Sequence, residues 1–155
     1  MKTVKTSYVI NKNTIALVPA KKLDYYTTVY ETDKEKQIKK TPFEIIKDSC
    51  IHYWTTYEGR KKAVYHHTKY KQKTPIPIHM EKEIFFFPTH APASMNSHWF
   101  SVKHIGNMKI NDKDKRETFV SFSNGKTLKI DATLYSLMRQ IERTMHCLFL
   151  MKVNY

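Results

Sequence analysis

The run Ile84-Phe85-Phe86-Phe87-Pro88 limits the fold more than any other stretch of the chain. Apolar side chains at successive positions reach both faces of an extended strand, so this segment has to lie inside a sheet with both sides buried. Trp99–Ile105 resumes as a strand after a loop at Thr89–Ser97 that holds Pro92 and several small residues. The central strand needs neighbours and layers, and the remaining pattern supplies them.

Ser7–Ile10 and Thr14–Val18 read as two short strands around an Asn11-Lys12-Asn13 turn, and Tyr25–Glu31 and Gln37–Lys39 extend them into a small antiparallel sheet. Thr41-Pro42-Phe43-Glu44 starts a helix: Thr41 caps, Pro42 fills the first turn without losing a hydrogen bond, and Glu44 closes a capping box. That helix is expected over Pro42–Tyr53, with Phe43, Ile46, Cys50 and either Tyr53 or Trp54 on its buried side. Thr118–Ser123 and Lys126–Ile130 flank Asn124-Gly125, which predicts a hairpin with a two-residue turn, pairing Phe119 with Ile130 and Ser121 with Leu128. Asp131 is the candidate cap of a final helix to about Leu150, its buried stripe being Leu134, Leu137, Met138, Ile141, Met145 and Leu148. The expectation is an α+β fold. One compact domain over 7–151 combines antiparallel strands and hairpins with a central helix and a long C-terminal helix, between an arm at 1–6 and a short tail at 152–155.

Function is signalled by charge. From Gly59 to Lys73 the chain carries Arg60, Lys61, Lys62, Lys69, Lys71 and Lys73 with no acid, interleaved with Tyr65 and Tyr70 and preceded by Tyr57. Helical spacing of Ala63, Val64, His67 and Tyr70 favours a helix over Arg60–Thr68, while a strand from Ala63 to Tyr70 fits nearly as well. Glu58-Gly59 is read as an interruption before the cluster, and Thr74–Ile78 as a stiff connector whose prolines argue against a central strand. The whole chain has 27 basic and 14 acidic residues, a formal net charge of +13. Such an excess fits DNA, RNA or an acidic membrane surface better than a small acidic ligand, which needs only one local patch.

Other chemistry is thin in the sequence. No segment reaches membrane-spanning length and the beginning lacks a signal-peptide run, so an intracellular protein without membrane attachment is expected. Cys50 and Cys147 form no CxxC pair and read as reduced, buried thiols. The eight histidines make no metal set, and no cofactor is expected. Asp48, Glu58, Glu81 and Glu83 near Arg60 are only a weak pattern for a Mg2+-dependent nuclease. The chain is read as a non-enzyme. A non-specific basic or RNA-associated protein is the alternative to a sequence-selective DNA binder.

Tyr57-Glu58-Gly59-Arg60-Lys61, Pro75-Ile76, Phe85-Phe86-Phe87-Pro88-Thr89, Trp99, His104 and Phe122-Ser123-Asn124-Gly125-Lys126-Thr127 stand here in a fixed order. In these blocks, from about Tyr8 to Arg143-Thr144, the chain resembles the ComK family of bacterial competence transcription factors. The resemblance implies an activator of DNA-uptake genes in the bacterial cytoplasm, nucleoid-associated when bound, that recognises paired A/T-rich boxes in double-stranded DNA largely through the minor groove and assembles as a homo-oligomer. It also implies a further partner, an adaptor protein of a regulatory protease. Longer members continue past the final helix with a segment tied to activity or adaptor recognition, whereas this sequence stops at Tyr155.

Candidate DNA contacts are therefore Arg60, Lys61, Lys62, Lys69, Lys71 and Lys73, with Arg139 and Arg143 on the polar flank of the final helix and Asn124 and Lys126 at the hairpin tip. Lysines supply salt-dependent phosphate contacts, and Arg60 is the first choice for a narrow A/T minor groove. Asn124 and Gly125 also have an ordinary explanation as turn residues. Leu148, Phe149, Leu150 and Met151, apolar nearly all round the last helical turns, are the candidates for self-association.

Overall fold

The expected central strand, β6 (Ile84–Pro88), is buried at every position and lies between β5 (Ile76–His79) and β7 (Trp99–Ser101). The computed structural model describes residues 3–154; Met1, Lys2 and Tyr155, parts of the expected arm and tail, lie outside the described residues. β6 belongs to a seven-stranded sheet that runs on from β7 through β2 (Thr14–Pro19), β3 (Thr27–Glu31) and β4 (Glu35–Ile38) to β1 (Val4–Lys5). β1 pairs with β4 in parallel, and every other neighbour in this sheet is antiparallel.

Strand alternation divides the core into two layers. Phe86, Trp99, Leu17 and Val29 face α1 (Pro42–His52), where they meet Ile45, Ile46 and Cys50. Phe85, Phe87 and Phe100 face the other way, onto a second sheet of β8 (Ile105–Ile110), β9 (Thr118–Phe122) and β10 (Thr127–Ile130), and onto α3 (Leu134–Asn154). Truncating one of these buried rings to alanine costs about 3–5 kcal/mol. The pairing of β2 with β3 is irregular between Thr14 and Ala16. Ile15 and Ala16 consequently both join the second layer, before Leu17 returns to the first.

The α+β architecture, the capping box and the central strand match the sequence reading. Thr41 Oγ1 accepts the Glu44 N–H at 3.2 Å and Glu44 Oε1 accepts the Thr41 N–H at 2.9 Å. The segment expected as a stiff connector is instead largely strand: β5 accommodates Pro77, with Pro75 just before it, because it is an edge strand.

Other local expectations are corrected. Ser7–Ile10 is no strand: its polar groups bond to side chains, with Ile10 N–H donating to Ser49 Oγ at 3.0 Å and Tyr53 OH donating to the Ile10 carbonyl at 2.7 Å. The strand from Trp99 breaks after Ser101 at a 3-10 turn, Val102–His104, which carries the chain from one sheet to the other. The β9–β10 hairpin pairs Val120 with Leu128 and Thr118 with Ile130, one residue away from the expected register. Phe122 N–H donates to the Lys126 carbonyl, so the loop has three residues, and Gly125 alone takes a positive φ, of 89°. That register sets Leu128 and Ile130 on the same side as Val120 and Phe122, toward the second core layer. α3 is capped by Thr133, whose Oγ1 accepts the Ser136 N–H at 3.1 Å, and not by Asp131. It continues to Asn154, through positions 152–154 of the expected tail.

Candidate nucleic-acid interface

The basic segment starts as a helix. α2 spans Tyr57–Thr68, so Glu58 and Gly59 form its first turn instead of interrupting the chain. Thr56 caps it by accepting the Gly59 N–H on Oγ1 at 2.9 Å; a Cβ on Gly59 would sit 2.9 Å from the same oxygen, so the cap and the glycine go together. Tyr57 packs in the first core layer and Val64 in the second, which carries α2 around the β5 edge of the sheet. Lys61 and Lys62 stay exposed on its outer side. Lys69 ends the helix in the left-handed region with φ 67°.

Beyond Lys69 the chain is stitched to α3. Gln140, 2% exposed, donates from Nε2 to the carbonyls of Lys73 at 2.8 Å and Pro88 at 2.9 Å. Arg143 donates from Nη1 to Gln140 Oε1 at 2.6 Å and from Nη2 to the Gln72 carbonyl at 2.8 Å, while its guanidinium lies 4.4 Å over the Tyr70 ring. Tyr70 OH is 2.8 Å from His146 Nδ1. Burial lowers the pKa of Arg143, nearby Arg139 lowers it further, and Tyr70 opposes both.

This stitching builds a cleft of ≈ 460 Å3. Lys69, Lys71 and Lys73 line it from the loop after α2 and Tyr135, Arg139 and Arg143 from α3, with the Tyr70 ring against Arg143; among the described residues none of its lining is acidic. Segments some seventy positions apart thus combine five of the predicted contact residues on one concave surface. The Lys73 ammonium reaches Ser136 Oγ at 3.4 Å. Arg139 is exposed and makes no hydrogen bond or ion pair with the described residues.

The other candidates lie elsewhere. Arg60 is half-buried and points its Nη1 at the Met80 sulfur, 2.9 Å away, with its Nε buried and unpartnered. Asn124 and Lys126 sit on the β3–β4 hairpin: Asn124 Nδ2 donates to the Glu31 carbonyl at 3.5 Å, and Lys126 Nζ is 3.6 Å from Glu35 and 4.8 Å over the Tyr30 ring. Of the candidates for self-association, Leu148 is buried within the protomer, Leu150 and Met151 are half-buried, and Phe149 is 61% exposed.

Sequence reading missed the true faces of α3. The buried face includes Leu137, Gln140, Thr144, Cys147 and Leu148, whereas Met138 and Met145, expected inside, are 47% and 48% exposed. With Tyr135, Phe149 and Val153 they make an apolar stripe at spacings of three, four and seven on the outside of the helix. The signal available in sequence was Gln140 and Thr144, polar residues at i and i+4 that are both buried, Thr144 being satisfied within the helix by donating its Oγ1 to the Gln140 carbonyl at 2.6 Å.

Among the described residues no three His, Cys, Asp or Glu side chains gather as a metal site, and no helix is long and apolar enough to cross a membrane. Cys50 and Cys147 are free and buried.

The family model described as ComK protein matches residues 5–154. A curated relative, the competence transcription factor of Bacillus subtilis (strain 168), is 33% identical over 140 residues, covering 89% of this chain and 71% of the relative. No solved structure matches the chain.

Proposed function

The chain belongs to the ComK family, and from that membership we propose that it regulates transcription by binding double-stranded DNA at paired A/T-rich boxes, largely through the minor groove, as an oligomer in the bacterial cytoplasm. It is a competence-related transcription factor and not an enzyme. The observation that carries the finer reading is the acid-free cleft between Lys69–Lys73 and Arg139–Arg143. Cations held on a rigid concave surface neutralise phosphates, which gives affinity that falls steeply with salt.

Sequence preference needs a group that enters the groove, and arginine suits the enhanced negative potential of narrow A/T tracts. The chain has four arginines. Arg143 is committed to Gln72, Gln140 and Tyr70, Arg60 to Met80, and Arg116 to Asp114 through a pair of hydrogen bonds at 3.0 and 3.1 Å. Among the described residues Arg139 alone of the four has no partner for its fork, and we assign it the groove. The lysines at 69, 71 and 73 take phosphates, with Lys61 and Lys62 extending the contact along α2. Support for oligomeric binding is the exposed Tyr135-Met138-Met145-Phe149-Val153 stripe on α3. An adaptor of a regulatory protease is a further proposed partner, supported by family likeness alone.

Competition binding with A/T-box duplex, scrambled duplex and RNA, with molar mass measured for each complex, tests this reading. The A/T-box duplex is expected to bind tightest and to recruit more than one protomer. Equal affinities for all three ligands at physiological ionic strength would overturn it.

A further inference from the structure

A second surface is unused by the DNA reading. The end of β2, the loop after it, the start of α1 and the loop at 91–95 enclose a groove of ≈ 580 Å3. Pro19, Tyr26, Pro42, Phe43, Pro92 and Met95 form its walls, and Lys21, Lys22 and Lys47 its charged rim. Tyr26 is 47% exposed, Met95 75%, and Leu23 in the same loop is fully exposed at 101%. Lys47 Nζ lies 4.6 Å over the Phe43 ring. The acid lining the groove, Glu44, has its carboxylate engaged by the Thr41 N–H at 2.9 Å in the helix cap.

Duplex phosphates call for cations, and apolar side chains serve duplex DNA only as wedges that project between base steps, whereas here Pro19, Tyr26, Phe43, Pro92 and Met95 wall a concave groove. Apolar side chains gathered this way mark a protein contact. Walls of proline and aromatic rings fit an extended peptide, whose alternate side chains enter pockets, and the rim cations select its charge. A second copy of this chain is disfavoured as occupant of this groove because the Lys21, Lys22 and Lys47 rim calls for an acidic segment, and the chain carries 27 basic residues against 14 acidic ones.

We propose that this groove docks an extended acidic segment of a partner protein, with apolar side chains against Tyr26, Phe43 and Met95 and carboxylates on Lys21, Lys22 and Lys47. The site shares no lining residue with the cationic cleft, so it stands or falls separately from the DNA reading.

The test is fluorescence anisotropy of the full chain with a labelled synthetic peptide alternating Asp or Glu with Leu or Phe. Saturable binding is expected, weakened at least ~10-fold when the peptide's Leu and Phe become Ser, or its acids become Lys. The double variant Lys21→Glu/Lys22→Glu and, separately, Tyr26→Ser/Met95→Ser should each lose at least ~10-fold in peptide affinity and keep duplex affinity. All four side chains are solvent-facing, so the fold survives these changes. Lys71→Glu in the cleft should do the opposite, losing duplex and keeping peptide. Equal binding of the Ser-substituted peptide reduces the attraction to bare charge and overturns the proposal. So does unchanged peptide affinity in either groove variant, or loss of duplex binding in the Lys21/Lys22 variant, which makes the surface a DNA contact.

Discussion

Gln140 on α3 donates to the carbonyl of Lys73 at 2.8 Å, joining the basic loop to the helix that supplies the facing arginines. The same Nε2 also reaches the Pro88 carbonyl at the end of the central strand, at 2.9 Å. The cationic cleft is thereby anchored to the most buried element of the fold, so the backbone that carries its lysines is fixed to α3 without any ligand to order it.

Replacing Gln140 by Leu removes both donations and the acceptor of Arg143 Nη1, taking this donor from the buried Pro88 carbonyl and from the half-buried Lys73 carbonyl. A buried polar group that loses its partner costs about 1–3 kcal/mol. The expected outcome is a drop of that order in stability by urea unfolding, together with weaker duplex binding. Unaltered duplex affinity in a destabilised variant would show that the Gln140 anchor is dispensable for DNA binding.

Charge removal separates affinity from preference. Lys71→Ala and Lys73→Ala are expected to weaken all duplexes alike and to reduce the slope of log affinity against log salt by about 1 each. Arg139→Ala is expected to reduce the preference for A/T-rich over G/C-rich duplex more than it lowers overall affinity, whereas Arg60→Ala leaves that preference in place. Competition titrations at several salt concentrations check both. A preference that follows Arg60 instead returns the groove contact to the end of α2.

The layers of the fold were legible because they rest on local chemistry: the apolar run at 84–88, the capping box at Thr41 and the apolar spacing after Leu134 each point to one element. What was lost depends on contacts between distant segments. The hairpin register turns on Gly125 being the sole positive-φ residue of its loop, which the Asn-Gly pair does not dictate. The strand-like Ser7–Ile10 is claimed by Ser49 and Tyr53 of another element. The five cations of the cleft were nameable from charge, but only the fold could group Lys69, Lys71 and Lys73 with Arg139 and Arg143 and send Arg60 and Lys126 elsewhere. Met138 and Met145 were misassigned because inward polar residues, Gln140 and Thr144, rotate the buried face away from the apolar maximum.

The outer stripe of α3 is proposed to join protomers on DNA, so charge placed there has a defined effect. Phe149→Glu and Met145→Glu alter exposed positions and should leave the monomer folded. Molar mass of the complex with a two-box duplex is expected to fall toward one protomer per box without cooperativity, while binding to a single box is retained. An unchanged mass and binding curve would assign assembly to another face.

The two thiols provide a pH-dependent readout of the packing. Burial pushes Cys50 and Cys147 from the ordinary thiol value of 9.0 up to about 11, opposed in part by Arg60 and Arg143 respectively. The folded chain therefore holds these two protons more tightly than the unfolded chain does. The stability they contribute is complete below about pH 9 and is lost as pH rises toward about 11. Burial raises the hydroxyls of Tyr53 and Tyr57 in the same direction, so the thiol share is isolated by comparing the parent with the Cys50→Ala/Cys147→Ala double variant. Urea unfolding across this range should show a steeper alkaline loss in the parent. A thiol-reactive disulfide reagent near neutral pH should leave both cysteines unmodified in the folded chain and modify both once urea unfolds it. Rapid modification of Cys147 in the native state would mean that the end of α3 opens away from the core.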